Sequence, residues 1–269
     1  MAVDTALPTS PALDAPHDRA ASSSRTGTTI LNIGCGTKTC SDKRVVNLDW
    51  STYLFIKAHP LLNRLSRFVL SEERLARLRA LPDSIVVHDL RKGIPYPDSS
   101  VDAVYHSHFL EHLDPPIARQ FVQEVRRVLK PGGIQRIVVP DFERLAAEYL
   151  EHLHRCRVDP AGAAEHDRYV GAMIEQMVRR EAYATRQQAG ARRWLERLVV
   201  GDARSRGETH QWMYDRINLP HMLRSAGYSE VRVEGYDTSR IDDWNALGLD
   251  RNETGREYKP ESLYVEAVK

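Results

Sequence analysis

The stretch Ile30-Leu31-Asn32-Ile33-Gly34-Cys35-Gly36, followed by Val45-Val46-Asn47-Leu48-Asp49, decides the reading of this chain. An apolar run ends in two glycines one residue apart, and a second apolar run ends in an acidic residue thirteen positions after Gly36. A parallel α/β sheet builds a nucleoside site in this way. Glycines let a ligand approach the backbone beyond the first strand, and a carboxylate beyond the second accepts hydrogen bonds from ribose hydroxyls. A Gly-x-Gly alone carries only the weight of a tight turn, so the rest of the chain has to supply the context.

Working outward, residues 28–33 read as the first strand and 45–48 as the second. Only residues 37–44 lie between Gly36 and the second strand, short for a crossover helix, so a loop or an abbreviated helix is expected there. Leu61, Leu62, Leu65, Phe68, Val69, Leu75 and Leu78 recur at helical spacing and predict a helical stretch over 61–81, ended by Pro82-Asp83. Residues 85–88 form a third strand ending at Asp89, and 101–105 a fourth. Pro115 and Pro116 open a helix with the apolar face Ile117, Phe121, Val125, Val128 and Leu129. Lys130-Pro131-Gly132-Gly133 stops it before a fifth strand at 134–139. The alternation predicts an α/β fold with a doubly wound, mostly parallel sheet.

From Phe142 to about Asp215 strand patterns vanish. Leu145, Tyr149 and Leu153 recur four apart, and Tyr169, Met173, Ile174 and Met177 continue the helical spacing. This predicts a helical insertion at 142–215, a lid over the crevice and far longer than an ordinary loop. A helix at 217–225 capped by Gly227, then strands at 231–236 and 263–268, complete the domain, 28–269. Residues 1–27, rich in Ala, Ser, Thr and Pro, read as a disordered tail without the layout of a signal peptide.

Composition narrows the function classes. Among 269 residues, 38 basic and 37 acidic side chains leave a formal charge of +1, so no global field argues for nucleic acid or a membrane surface. No apolar stretch approaches the roughly 20 residues of a membrane span. Cys35, Cys40 and Cys156 are too few and too odd in number for a disulfide framework, and a reducing cytoplasm is the expected location. Cys35 and Cys40 could form half a metal site, but the paired half is missing, and no metal is expected.

Together these runs resemble the class I S-adenosylmethionine-dependent methyltransferases of the small-molecule type. The residues that carry the resemblance are Leu31 to Gly36, Asp49, Asp89-Leu90, Phe109-Leu110-Glu111-His112-Leu113 and Val125 to Gly133. Val139-Pro140-Asp141, the run Gly207 to Asp215 and the ending Ser262 to Ala267 are similar to a bacterial subgroup associated with surface-glycan biosynthesis. The resemblance implies seven strands with the last antiparallel, S-adenosylmethionine as donor and S-adenosylhomocysteine as product. By it, backbone at Gly34 and Gly36 borders the methionine part, Asp49 holds the ribose, Asp89 and the Leu90 amide read adenine, and His106 lies near the methionine end. Asn32 stands where the family usually carries an acidic residue. It keeps hydrogen bonding and removes a charge near the sulfonium.

Methyl transfer from a sulfonium asks mainly for in-line positioning of a nucleophile, plus a base if that nucleophile is a hydroxyl. His106, His108 and His112 follow the fourth strand, and His210 sits in the Glu208 to Asp215 run. His210 and His108 lead as base candidates. His112, beside Glu111, reads first as a structural residue and then as a third candidate. Each feature has a plainer reading. Asp49 and Asp89 suit helix caps. Glu208, His210 and Asp215 are metal-ligand types without a spaced partner, and Trp212, Met213 and Tyr214 suit docking of the insertion, with Glu208 and Asp215 in ion pairs. Arg179, Arg180, Arg186, Arg192, Arg193, Arg197, Arg204 and Arg206 face only Glu181, Glu196 and Asp202, which suits an anionic acceptor or simply a solvated helix face.

The expected function is methyl transfer to a small molecule, foremost a hydroxyl of a sugar or glycan precursor. A carboxylate, amine or carbon centre of a specialised metabolite comes next. Two rivals stand beside it. A nicotinamide-dependent dehydrogenase would need a third glycine opening a helix, which this chain lacks. A non-catalytic binding module of the same fold is favoured only by Asn32. Oligomeric state has no signature in the sequence.

Overall fold

The computed structural model describes residues 27–70, 72–176 and 209–269. Seven strands form one sheet in the order β3-β2-β1-β4-β5-β7-β6. They are β1 (Ile30–Ile33), β2 (Val45–Asp49), β3 (Val86–Val87), β4 (Val101–Ser107), β5 (Leu129–Pro140), β6 (Ser229–Glu234) and β7 (Ser262–Val268). The sheet is mixed. The pairs β1·β2, β1·β4, β2·β3 and β4·β5 are parallel, whereas β7 runs antiparallel to both β5 and β6. Parallel strands put the carboxyl ends of β1, β2 and β4 on one edge, and the antiparallel β7 delivers its amino end to that same edge, where Ser262 pairs with Pro140.

No helix separates β1 from β2. The loop that replaces it is held by side chains: Asn32 Nδ2 donates to Lys38 O and Asn47 Oδ1, while Asn47 binds both backbone groups of Cys40. The stretch expected as one helix over 61–81 divides into α1 (Thr52–Ala58), α2 (Pro60–Val69) and α3 (Glu72–Ala80). Pro60 has no N–H to continue α1 and instead starts α2, with His59 closing one helix and preceding the next. Leu75 and Leu78 of α3 are buried, but Leu61, Leu65 and Phe68 of α2 stand exposed, so the periodicity there marks a solvent-facing apolar stripe and not core.

One face of the sheet is covered by α4 (Pro115–Val128) and α7 (Asn218–Ser225), whose Phe121, Val125, Leu219 and Leu223 pack on Leu31, Ile33, Val104 and Ile137. The other face is closed by irregular chain around the single-turn α8 (Trp244–Leu247), which lays Ile241, Trp244 and Leu249 on Ile30, Ala103, Tyr105 and Tyr264. That face also buries an ion cluster. Arg136 of β5 donates to Asp250 (2.8 Å), Glu266 (2.7 Å) and the carbonyls of Thr238 and Gly235. Lys130-Pro131-Gly132-Gly133 ends α4 and lies within β5 as a bulge, between the pairs Val101·Leu129 and Ala103·Ile134. A side chain at Gly133 would meet the Lys130 and Asp102 carbonyls at 2.9 and 3.0 Å.

Of the expected insertion, α5 (Phe142–Val158), a 3₁₀ turn (Pro160–Glu165) and α6 (His166–Gln176) are helical. Residues 177–208, with the arginine-rich run and Glu208, lie outside the described residues, as does the tail to residue 26. Among the described residues no helix is long and apolar enough to cross a membrane.

Candidate active site

A cavity of about 270 Å³ opens where β1 and β4 end. Its lining joins Asn32, the 34–38 turn, Tyr105, Ser107 and His108 to Tyr258 and Lys259 from the segment entering β7. A larger groove of about 420 Å³ lies between α2 and α3. It is shallow, sits away from the strand ends and carries no acid–base pair, so the smaller cavity is the better candidate.

The two glycines serve different purposes. Both adopt positive φ, 64° at Gly34 and 53° at Gly36. A side chain on Gly34 would collide with the Phe109 ring at 2.5 Å, whereas a side chain on Gly36 would enter open space. Gly34 therefore lets Phe109 close under the turn, and Gly36 leaves room for a ligand against the backbone. Cys35 between them is buried, and burial, with Asp49 beside it, pushes its thiol up to about 12.

Asp49 ends β2 with one carboxylate oxygen accepting from Gly36 N–H (2.7 Å) and the other from Trp50 N–H (2.6 Å). Each oxygen keeps a lone pair for a further donor. Burial raises its carboxyl above the usual range, and the two N–H groups oppose that rise. Asp89 is placed differently. It caps the 3₁₀ turn Leu90–Lys92 and holds the Arg91 guanidinium through both oxygens, at 2.9 and 2.8 Å. That pairing lowers its carboxyl below the usual range. The capping alternative read from the sequence thus describes Asp89 here, and an adenine amino group would have to share the carboxylate with Arg91.

His106 does not line the cavity. β4 continues to Ser107, so Tyr105 and Ser107 line the cavity while His106 faces the α4 side, fully buried against Phe109 and Phe121. Gln135 Nε2 donates to its Nε2 at 3.0 Å, and its Nδ1 has no partner. Burial holds its imidazole down to about 3, from 6.5. A group whose pKa falls on folding supports the fold above its unfolded pKa and loses that support as pH drops. Between pH 6.5 and 4.5, His106→Leu is therefore expected to flatten the decline of unfolding free energy by up to about 1.4 kcal/mol per pH unit. Parallel urea-derived stability curves for the two proteins would refute this.

The other three histidines converge on Glu111. The Glu111 carboxyl is fully buried, and neither oxygen has a hydrogen-bond partner. His108 Nδ1 stands 3.4 Å and His112 Nε2 4.0 Å from its Oε1. The His210 ring packs edge-on to His112, with centroids 4.8 Å apart. The tautomers follow from their partners. Ser262 donates its only hydroxyl proton to Lys259 O, so it accepts from His108 Nε2, and the lone pair of His108 lies on Nδ1. His112 Nδ1 donates to Thr209 O, so its lone pair lies on Nε2. Burial pushes Glu111 up to about 8, His108 down to about 3 and His112 down to about 4. Lys259 is lowered by burial, and Glu111 opposes that shift.

Of the residues expected to dock the insertion, Tyr214 is buried, Met213 half-buried and Trp212 exposed, and Glu208 lies outside the described residues. The Gln211 and Trp212 N–H groups donate to Glu111 O, and Tyr214 bridges Asp141. Asp215 caps the turn into α7 through Ile217 and Asn218 N–H, and is not in an ion pair among the described residues. Sequence reasoning missed Tyr105, Ser107, Lys38, Tyr258 and Lys259. Strand alternation along β4, paired with β1 through Asn32·Tyr105, could have found the first two; nothing local marks the others.

Residues 31–137 match the model of a methyltransferase domain family. The chain is 31% identical over 116 residues to "Probable methyltransferase ltbC" of Aspergillus luteorubrus, covering 39% of this chain and 37% of that protein. It is 30% identical over 122 residues to a "Probable S-adenosylmethionine-dependent methyltransferase" of Mycolicibacterium smegmatis, covering 43% of this chain and 39% of that protein. The chain thus spans less than two-fifths of the length of these two relatives. A solved SAM-dependent methyltransferase from Methanosarcina mazei is 19% identical and aligns with a TM-score of 0.40 over 90% of this chain and 92% of that chain.

Proposed function

We propose that this protein is a methyltransferase that binds S-adenosylmethionine in the cavity at the ends of β1 and β4 and transfers its methyl group to a small-molecule acceptor. The observation that carries the reading is the open space at Gly36 with its N–H on Asp49, inside the segment that matches the methyltransferase family. The backbone at Gly36 in the cavity lining is free of side-chain bulk, and Asp49, which holds the Gly36 N–H from behind that lining, has acceptor capacity for ribose hydroxyls. The bound cofactor supplies an electrophilic methyl group. The protein's part is to orient the acceptor, exclude water and take up its proton.

A hydroxyl of a sugar or glycan precursor is the favoured acceptor, on the likeness of the Val139-Pro140-Asp141 and Gly207 to Asp215 runs to a glycan-associated subgroup. His108 is the candidate base that lines the cavity, with His112 and His210 behind it. Its strongly lowered basicity makes it a weak base for a free alcohol, which leaves positioning as its larger contribution. The insertion after β5 is proposed to carry acceptor specificity as a lid. Calorimetric titration with S-adenosylmethionine and S-adenosylhomocysteine tests the core reading. Saturable binding of both is expected; binding of a nicotinamide dinucleotide alone would overturn it.

A further inference from the structure

We propose that Glu111, His112 and His210 form a binding site for one divalent first-row transition-metal ion, next to the cofactor cavity through His108. One ligand atom from each of the three lies within 4.8 Å of the others, close enough to share an ion after small side-chain movements. The inference stands on this ligand set and does not require the methyl-transfer reading.

Three observations converge. Glu111 has no solvent and no hydrogen-bond donor at either oxygen, a costly arrangement for a carboxylate unless a cation or a retained proton occupies the space. His112 presents a bare Nε2 toward that carboxylate because its Nδ1–H is committed to the Thr209 carbonyl. That outer hydrogen bond is the arrangement that orients metal-binding imidazoles. His108 also turns a lone pair on Glu111, held by the Ser262–Lys259 relay, so only a cation or a proton retained by Glu111 can stand between the two. A divalent cation between Glu111 and His112 resolves the first two, and His108, outside the ligand set, then faces a carboxylate whose charge is compensated.

The donor set selects the ion. Two imidazole nitrogens and one carboxylate oxygen suit Zn²⁺, Mn²⁺ or Fe²⁺ and not the all-oxygen shells of Ca²⁺ or Mg²⁺. Three protein ligands leave coordination positions open, the mark of a site that takes a substrate oxygen and not of a closed structural one. A second group, His152, Cys156 and His166, lies between α5 and α6, with His152 Nδ1 3.1 Å from His166 Nδ1 and 3.5 Å from Cys156 Sγ. It offers a built-in comparison.

The test is metal content by mass spectrometry after chelator stripping and dialysis against Zn²⁺ or Mn²⁺, with Co²⁺ absorption reporting the ligand field. Wild type is expected to hold about one equivalent that Glu111→Gln, His112→Ala and His210→Ala each reduce at least about tenfold, with His166→Ala leaving that equivalent in place. Glu111→Gln keeps the shape of the side chain, and far-UV circular dichroism checks that each variant is folded. A wild type that holds no ion would assign the buried Glu111 a retained proton and overturn the proposal. Metal lost only in His166→Ala would overturn it equally. S-adenosylmethionine titration of the stripped protein runs in parallel, so failure of the metal site and failure of the methyltransferase reading give different results.

Discussion

Arg136→Met is expected to lower the unfolding free energy by about 3–5 kcal/mol, the usual cost of breaking a buried ion pair from one side. Arg136 is fully buried, and so are its partners Asp250 and Glu266. Methionine fills much of the stem volume but leaves two carboxylates without their cation and two carbonyls without donors. Asp250 has further duties: it accepts from Tyr105 O–H at 2.6 Å and Trp244 Nε1–H at 2.9 Å. Loss of Arg136 should therefore loosen the layer that covers one whole face of the sheet, and Tyr105 with it, a wall of the cavity. Urea unfolding followed by circular dichroism measures the effect, as a midpoint moved down at unchanged slope. Arg144→Met breaks an exposed pair with Glu148 on α5 and should cost under about 0.5 kcal/mol. Equal losses in the two variants would show that the buried cluster is not a keystone of this face.

Asp49→Ala is expected to weaken S-adenosylmethionine binding by roughly 10- to 100-fold, the worth of one to two hydrogen bonds to a charged acceptor. The substitution also strips Gly36 N–H of its acceptor and frees the turn that shapes the cavity. Asp49→Asn separates the two effects, since one amide oxygen can still receive Gly36 N–H while the charge is gone. Its binding should fall between wild type and alanine. Burial raises the Asp49 carboxyl, so its charge costs the fold stability above the unfolded pKa, and that cost grows as pH rises through the folded value. At neutral pH Asp49→Asn removes the buried charge but sets its amide N–H against the Trp50 N–H, so the melting temperature should move less than in Asp49→Ala while ligand affinity falls. Calorimetry and thermal unfolding on the same preparation check both. Unchanged affinity in both variants would remove Asp49 from the site.

Much of the frame was legible because it is written locally. Gly34, Gly36 and Asp49 sit at strand ends, and strand ends are visible as apolar runs that stop. Asp89 occupies the same kind of position, yet Arg91 two residues on claims its carboxylate, and sequence spacing does not rank a ribose or a base against a neighbouring guanidinium. His106 was a matter of parity: extending β4 by two residues turned it from the crevice to the core. The gathering of His210 on Glu111 and His112 was not legible, because the backbone path that folds 209–215 onto the turn after β4 leaves no trace in the spacing of these residues. Nor was Arg136, whose partners lie in the irregular stretch before β7, where neither helical nor strand periodicity points.

The antiparallel insertion of β7 between β5 and β6 has a temporal side. The cavity is walled by residues from opposite ends of the domain: Lys38 Nζ reaches Arg251 O across 213 positions, and Tyr105 reaches Asp250 across 145. Contacts of such separation form late, since the loop entropy must be spent before they reward it. A nascent chain that has released β1 to β5 holds Gly34, Gly36, Asp49 and Asp89 but no Tyr258 or Lys259 to close over the turn. A ligand that fills this cavity would bind only the finished tertiary structure and add to its stability by mass action.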